Sequence, residues 1–206
     1  MSKIKLTKGE MKRQRDALKQ FRRYLPTLQL KKQQLQMKIT EVRKVLDEQT
    51  RKLKYQKADI FRWVGVLAEK TVELKQYIIP TEIAIEQTNI AGAKVPVFEK
   101  VVFKEIDYDL YTTPFWTDRA IKEMQEYVRL YIDVDVTKKQ IRLLEHELLI
   151  TTQRVNLFEK VKIPECKENI RKITIYLGDQ QANAVGVGKV AKKKIEQRSQ
   201  AALAAV

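Results

Sequence analysis

Cysteine, histidine, glycine and proline are all scarce in this chain of 206 residues. It holds one Cys, one His, 6 Gly and 5 Pro. A single cysteine, Cys166, excludes an internal disulfide and fits a reducing compartment. A single histidine, His146, excludes a site built from several histidines. So few glycines and prolines argue against a loop-rich or disordered chain. No run approaches the ~20 apolar residues needed to span a bilayer. The N-terminal Met-Ser-Lys-Ile-Lys-Leu-Thr-Lys has no apolar stretch of the signal-peptide kind. The expectation is a cytoplasmic protein, or one peripheral to a membrane, without direct membrane insertion.

Present instead is a long repeat. Met11, Leu18, Leu25, Lys32, Ile39, Leu46, Leu53, Ile60, Leu67 and Leu74 are spaced by seven, and nine of the ten are apolar. In a chain that is 44% hydrophobic, about four would be apolar by chance. The companion series three residues on holds Phe21, Leu28, Leu35 and Val42, decays at Gln49 and Gln56, and returns at Trp63. A strict heptad keeps one seam of a helix against a partner and winds the pair left-handedly. One register of this length means a helix of roughly 100 Å at 1.5 Å per residue.

The elements follow from local signals. Thr7 as N-cap with Glu10 three residues later makes a capping box. Pro80 closes the first helix near Ile78–Ile79, and Pro26 inside it predicts a kink. Residues 80–113 change character. Thr81 to Glu86 alternate polar and apolar, residues 95–106 are β-branched and aromatic, and Asn89 with Ala91–Ala93 supplies a turn. A second long helix is expected from Pro114, capped by Thr113, with a seam through Ile121, Met124, Val128, Ile141, Leu144, Leu148, Val155 and Phe158. The core spacing shifts after Pro164, which predicts a second kink. The fold expected is mainly α: a long antiparallel two-helix left-handed coiled coil with a small β-hairpin-containing head between the helices. Its parts are a helix over 1–79, a hairpin insert over 80–113 and a helix over 114–206. Residue x should then face about residue 200 − x, which sets Lys32 beside Glu165 and Glu168 and draws both termini to one end.

Charge is uneven. The net of +15 divides into +13 over residues 1–75, −2 over 76–188 and +4 over 189–206. If the two ends lie side by side, Lys3, Lys5, Lys8, Lys12, Arg13, Lys192, Lys193, Lys194 and Arg198 form one basic tip. Three readings stay open for it: a solvated coiled-coil face, a nucleic-acid surface, or a tip that docks into a protein collar. Catalytic chemistry is not indicated. Gly186-Val-Gly188-Lys189 lacks the earlier glycine and the following Ser/Thr of a phosphate loop. Asp133 and Asp135, two apart in a helix, do not face each other. Cys166 has no histidine near it in sequence. No cofactor and no metal site is expected.

One run is more specific. Arg154-Val155-Asn156-Leu157-Phe158-Glu159, followed by Ile163-Pro164, resembles the Arg-Val-Asn-x-hydrophobic-Glu run and later proline of the D subunit of the rotary V/A-type ATPases. Leu25-Pro26-Thr27-Leu28 and the lysine-rich Lys192–Ile195 segment support the resemblance, which spans nearly the whole chain. Gly186 and Gly188 depart from the charged residues usual in that family. The resemblance implies a central-stalk rotor shaft that couples ATP hydrolysis or synthesis to ion transport and is not itself catalytic. Its partners would be the catalytic A and B subunits, the small F subunit of the stalk and a funnel-like subunit of the membrane sector, with no nucleic acid. It implies that the basic tip meets the hexamer and that Arg154, Val155, Asn156, Glu159 and Pro164 carry the family motif. Leu18, Leu25, Ile39, Leu46, Leu53, Ile60, Leu67, Ile141, Leu148 and Val155 would form the seam. Ile83, Ile85, Val97, Phe98, Val102 and Phe103 would offer a partner surface on the head. The alternatives are a basic coiled-coil protein that binds nucleic acid and a generic coiled-coil scaffold.

Overall fold

The computed structural model describes residues 4–65, 74–105, 111 and 113–204. In chain order they form α1 (Lys8–Trp63), α2 (Lys75–Ile78), β1 (Pro80–Ile90), β2 (Ala93–Phe103), α3 (Thr117–Asn156), a π-helical segment (Leu157–Lys162) and α4 (Ile163–Ala204). The chain divides into two compact units: residues 30–152, and residues 1–29 with 153–206.

α1 begins where its sequence says it should. The Glu10 N–H donates to Thr7 Oγ1 at 3.2 Å, and the Met11 N–H donates to the Thr7 carbonyl at 3.0 Å. Only half of the capping box forms, because the Glu10 carboxylate instead takes the Gln14 amide at 2.9 Å. The helix runs unbroken through Pro26. It ends at Trp63 and not near Ile79. α2 is a separate single turn immediately before Pro80. Leu67 of the predicted seam lies outside the described residues. α3 also starts later than expected. Thr117 donates its N–H to the Pro114 carbonyl at 3.0 Å, so the residues around Pro114 form a turn that leads into the helix.

In the unit formed by residues 30–152, α1 and α3 run antiparallel and the hairpin lies along both. Leu35, Ile39 and Val42 of α1, Ile141 and Leu144 of α3, and Ala93 and Val95 of β2 form one buried cluster. Leu46 and Leu148 border it. The seam positions of both helices therefore point at the strand as well as at each other. β1 and β2 pair from Pro80↔Phe103 to Ile90↔Ala93, with irregularities at Thr81 and Glu99. The turn needs left-handed backbone at two residues, Ala91 (φ 51°) and Gly92 (φ 82°). Glycine adopts this readily, whereas alanine is strained there. A Cβ at residue 92 would also sit 3.4 Å from Lys31 Nζ, so the hairpin tip reaches back to the level of Lys31. The hairpin flanks the helices and does not cap their far ends.

The inter-helix register differs from the expected one. Arg43 pairs with Glu145, Gln49 Nε2 donates to Asp133 Oδ2 at 2.7 Å, and Trp63 Nε1 donates to Glu123 Oε2 at 3.0 Å. Lys31, rather than Lys32, makes the cross-helix ion pair, 3.8 Å from Glu147. Glu165 and Glu168 instead pair locally with Lys162 and Lys172. The 200 − x estimate took the two helices as ending together. Within this unit the pairs instead centre near the Ala91–Gly92 turn.

In the other unit, residues 8–29 of α1 run beside the π segment and α4. Phe21 and Phe158 pack at a tilt of 39°, with ring centroids 5.0 Å apart. Val155, Cys166, Asn169 and Ile173 are buried. The kink expected at Pro164 takes the form of a π-helical segment. Proline has no N–H and its ring collides with the carbonyl four residues back. The six residues before Ile163 widen to i→i+5 bonding, with the Ile163 N–H donating to the Phe158 carbonyl. α4 then continues through Gly178, Gly186 and Gly188 without a break.

Candidate functional site

The described surface offers interaction faces. Among the described residues no grouping of His, Cys, Asp or Glu is placed to hold a metal ion, and no helix is long and apolar enough to cross a membrane. Asp133 and Asp135 go separate ways, as their spacing requires. Asp133 faces α1 and accepts from Gln49, while Asp135 pairs with Lys139 at 2.8 Å on its own helix. Burial raises the Asp133 carboxyl above its ordinary value, against the lowering effect of the Gln49 hydrogen bond. Burial likewise pushes the Cys166 thiol up, with Glu165 adding to the effect. That is the opposite of the depressed value a nucleophilic thiol needs. His146 is exposed.

The basic residues of the two ends are not gathered into one cluster. Lys5, Lys8, Lys12 and Arg13 are exposed around the start of α1, and Lys192, Lys193, Lys194 and Arg198 are exposed on α4. Lys3 lies outside the described residues. Met11 touches Thr174, and Ile4 lines a groove with Lys160, Pro164, Glu168 and Lys172. Lys192 follows Thr174 by about 27 Å of helix at 1.5 Å per residue. Within this set, ion pairs among the described residues engage Arg13 with Glu10 and Lys192 with Glu196.

Beyond Leu177, every residue through Ser199 is exposed. That stretch of α4 is a helix with no described neighbour on any side, and it carries exposed Val185, Val187, Val190 and Ile195 between its charges. Apolar side chains spread over an unpartnered helix suit a surrounding protein surface better than bulk water. The motif run reaches into the π segment. Val155 is buried, whereas Arg154, Asn156 and Glu159 point outward and Pro164 is exposed. Of the seam set, Ile39, Ile60, Ile141 and Val155 are buried, and Leu18, Leu25, Leu46, Leu53 and Leu148 are half-buried. On the hairpin, Ile83, Ile85 and Val102 are exposed at 43%, 47% and 41%. Val97, Phe98 and Phe103 are half-buried.

Two features escape sequence reasoning. One is the Gln49–Asp133 pair, whose Gln49 Oε1 is buried with no partner among the described residues. Gln49 interrupting the apolar series was its signal. The other is the group at the far end of α1, where Glu123 accepts from both Trp63 and Arg119. That hydrogen bond and charge raise the Arg119 pKa further. Trp63 counted in the sequence only as a seam residue.

A pair of long antiparallel helices with a hairpin insert, exposing apolar surface at the hairpin and along α4, defines a helical protein built for assembly with other chains. Residues 10–193 match the family described as the D subunit of ATP synthase. The chain is 44% identical over 206 residues to the V-type ATP synthase D subunit of Borreliella burgdorferi, covering 98% of this chain and 100% of that protein. It is 36% identical to the protein of that name in Chlamydia muridarum (97% and 99% covered) and 35% identical to that in Chlamydia caviae (97% of each). The chain belongs to the family of ATP synthase D subunits.

Proposed function

We propose that this chain is the central rotor shaft of a V/A-type ATPase or ATP synthase. It transmits rotation between a catalytic hexamer and an ion-conducting membrane ring. Kinship through almost the full length with proteins named as V-type ATP synthase D subunits carries the reading. In this reading the A and B subunits bind nucleotide and do the chemistry, and the chain contributes no catalytic group and no cofactor. It lies peripheral to the membrane as part of the complex.

The two exposed faces take separate roles. Residues 178–199 of α4, with Lys192, Lys193, Lys194 and Arg198, enter the cavity of the hexamer. Long, mobile lysines there suit a part that slides past three equivalent sites, because they make contacts without interlocking. The hairpin face of Ile83, Ile85 and Val102 meets a neighbouring stalk component, either the small F subunit or the funnel-like one. Intramolecular pairing of the seam, seen at Arg43–Glu145 and Gln49–Asp133, fits a shaft made from one chain and disfavours the scaffold reading, which needs the seam for a second copy.

Purification of the tagged chain from native membranes, with its partners identified by mass, tests the proposal. The expected result is recovery of two large nucleotide-binding subunits and one small stalk protein. Recovery of nucleic acid, or of the chain alone, overturns it.

A further inference from the structure

β1 has hydrogen-bonding capacity to spare. It pairs with β2 alone in a two-stranded sheet. β2 is the strand that leans on the helices, through buried Ala93 and Val95, whereas β1 keeps only Pro80, Ala84 and Ile90 half-buried. In such a sheet about half of the N–H and C=O groups of β1 point away from β2. Among the described residues no backbone group outside the hairpin bonds to them.

Edge strands usually carry devices that turn a further strand away: short length, a lysine or proline in the middle, or a bulge. β1 is eleven residues long. Its only proline is the first residue, and residues 81–90 contain no Lys, Arg or Pro. The one extra residue in β1, Thr81, sits at its very start between Pro80 and Glu82, and the irregularity between Ala84 and Ile85 puts its extra residue, Glu99, into β2. Glu82 to Ile90 therefore keep a regular pleat. Ile83 and Ile85 stand exposed on one face of this strand.

The charge on the strand is one-sided. In a chain of net charge +15, β1 carries Glu82 and Glu86 and no base. Both are exposed, and the residues directly across from them on β2 are Val102 and Val97. Among the described residues neither carboxylate makes an ion pair, and the one base on this face of β2, Lys100, stands opposite Ala84 and diagonal to both.

We infer that β1 accepts a third strand from another protein of the ATP synthase complex. That strand is an extended segment with Lys or Arg alternating in position to meet Glu82 and Glu86, and with β-branched or aromatic side chains over Ile83 and Ile85. Backbone bonds supply affinity in this mode and the alternating side chains supply choice of partner. A second copy of β1 fits badly. The antiparallel register that opposes Ile83 to Ile85 also opposes Glu82 to Glu86, and like charges directly across a ladder destabilise it. The inference rests on the chain's place in that complex, proposed above.

Residue-resolved amide hydrogen exchange on the free chain and on the purified complex tests it. The expected result is protection rising by about 100-fold at alternate amides between Glu82 and Ile90 on assembly, with the intervening amides, already bonded to β2, changing little. Complexes assembled with Glu82→Lys/Glu86→Lys, whose side chains are exposed, should lose that gain. If the chain co-purifies with the complex and the outward amides exchange as in the free chain, the third strand is absent. Uniform protection without alternation means a covering surface of another kind and also overturns it. So does alternating protection in the free chain that grows with concentration, which means self-pairing. Failure of the chain to enter the complex at all would overturn the rotor reading instead.

Discussion

At the scale of single residues, stability rests on a few side chains that contact three elements at once. Leu35 is fully buried between α1, α3 and β2. Leu35→Ala should cost about 2–5 kcal/mol, the range for a buried leucine whose site collapses incompletely. Urea unfolding of the purified chain will show it. Asp133 offers a test with a definite sign. Burial raises its carboxyl in the folded state above the ordinary 3.8, so the native state holds this proton more tightly than the unfolded chain. Its contribution is therefore most favourable below that value and is lost as pH rises through the raised folded-state value. Asp133→Asn keeps an acceptor for Gln49 and removes the titration. The variant should gain stability relative to the parent as pH climbs through this window. A gap that stays constant in paired unfolding curves would contradict that account.

At the scale of elements, the sequence spoke clearly where periodicity or capping governs and poorly where geometry is shared between distant segments. The heptads from Met11 to Ile60, the Thr7 cap and the strands around Ala91–Gly92 are all local patterns, and each was legible. The early end of α1 was not, because Leu67 and Leu74 continue the apolar heptad beyond Trp63 and give no stop signal in the sequence. Nor was the placement of the hairpin along the helices. Val95 reads as a strand residue, but nothing in its neighbours says that it packs on Leu35 and Leu144. The interaction faces were legible as residue types only: the exposed isoleucines of β1 were visible as candidates, and the open edge beside them was not. Pro164 announced a disturbance without its form. The π segment is the equivalent of one residue inserted into an α-helix. Deleting one residue between Leu157 and Lys162, with Pro164→Ala, should restore i→i+4 bonding and leave Phe158 and Ile173 on the buried side. Backbone NMR shifts and an unfolding midpoint near that of the parent would be the signature. Collapse of the unit that holds Phe21 and Phe158 would refute it.

At the scale of the molecule, residues 178–199 add length without adding to either core. Removing residues 178–206 should leave the unfolding free energy of the rest unchanged to within about 0.5 kcal/mol, since exposed positions away from packing contribute little. The same truncation should abolish ATP-driven rotation of the assembled complex, as followed by a bead on the stalk. The solitary helix has a consequence for the cell as well. Without tertiary contacts a segment of this length is held by propensity alone, and each of its three glycines costs it about 1 kcal/mol. Limited trypsin treatment of the free chain should cut first at Lys189 and Lys192–Lys194, while the assembled complex should resist there. On the rotor reading proposed above, a chain that misses its assembly partners would be clipped at the part it uses to join them, so the loose end would mark surplus copies for removal.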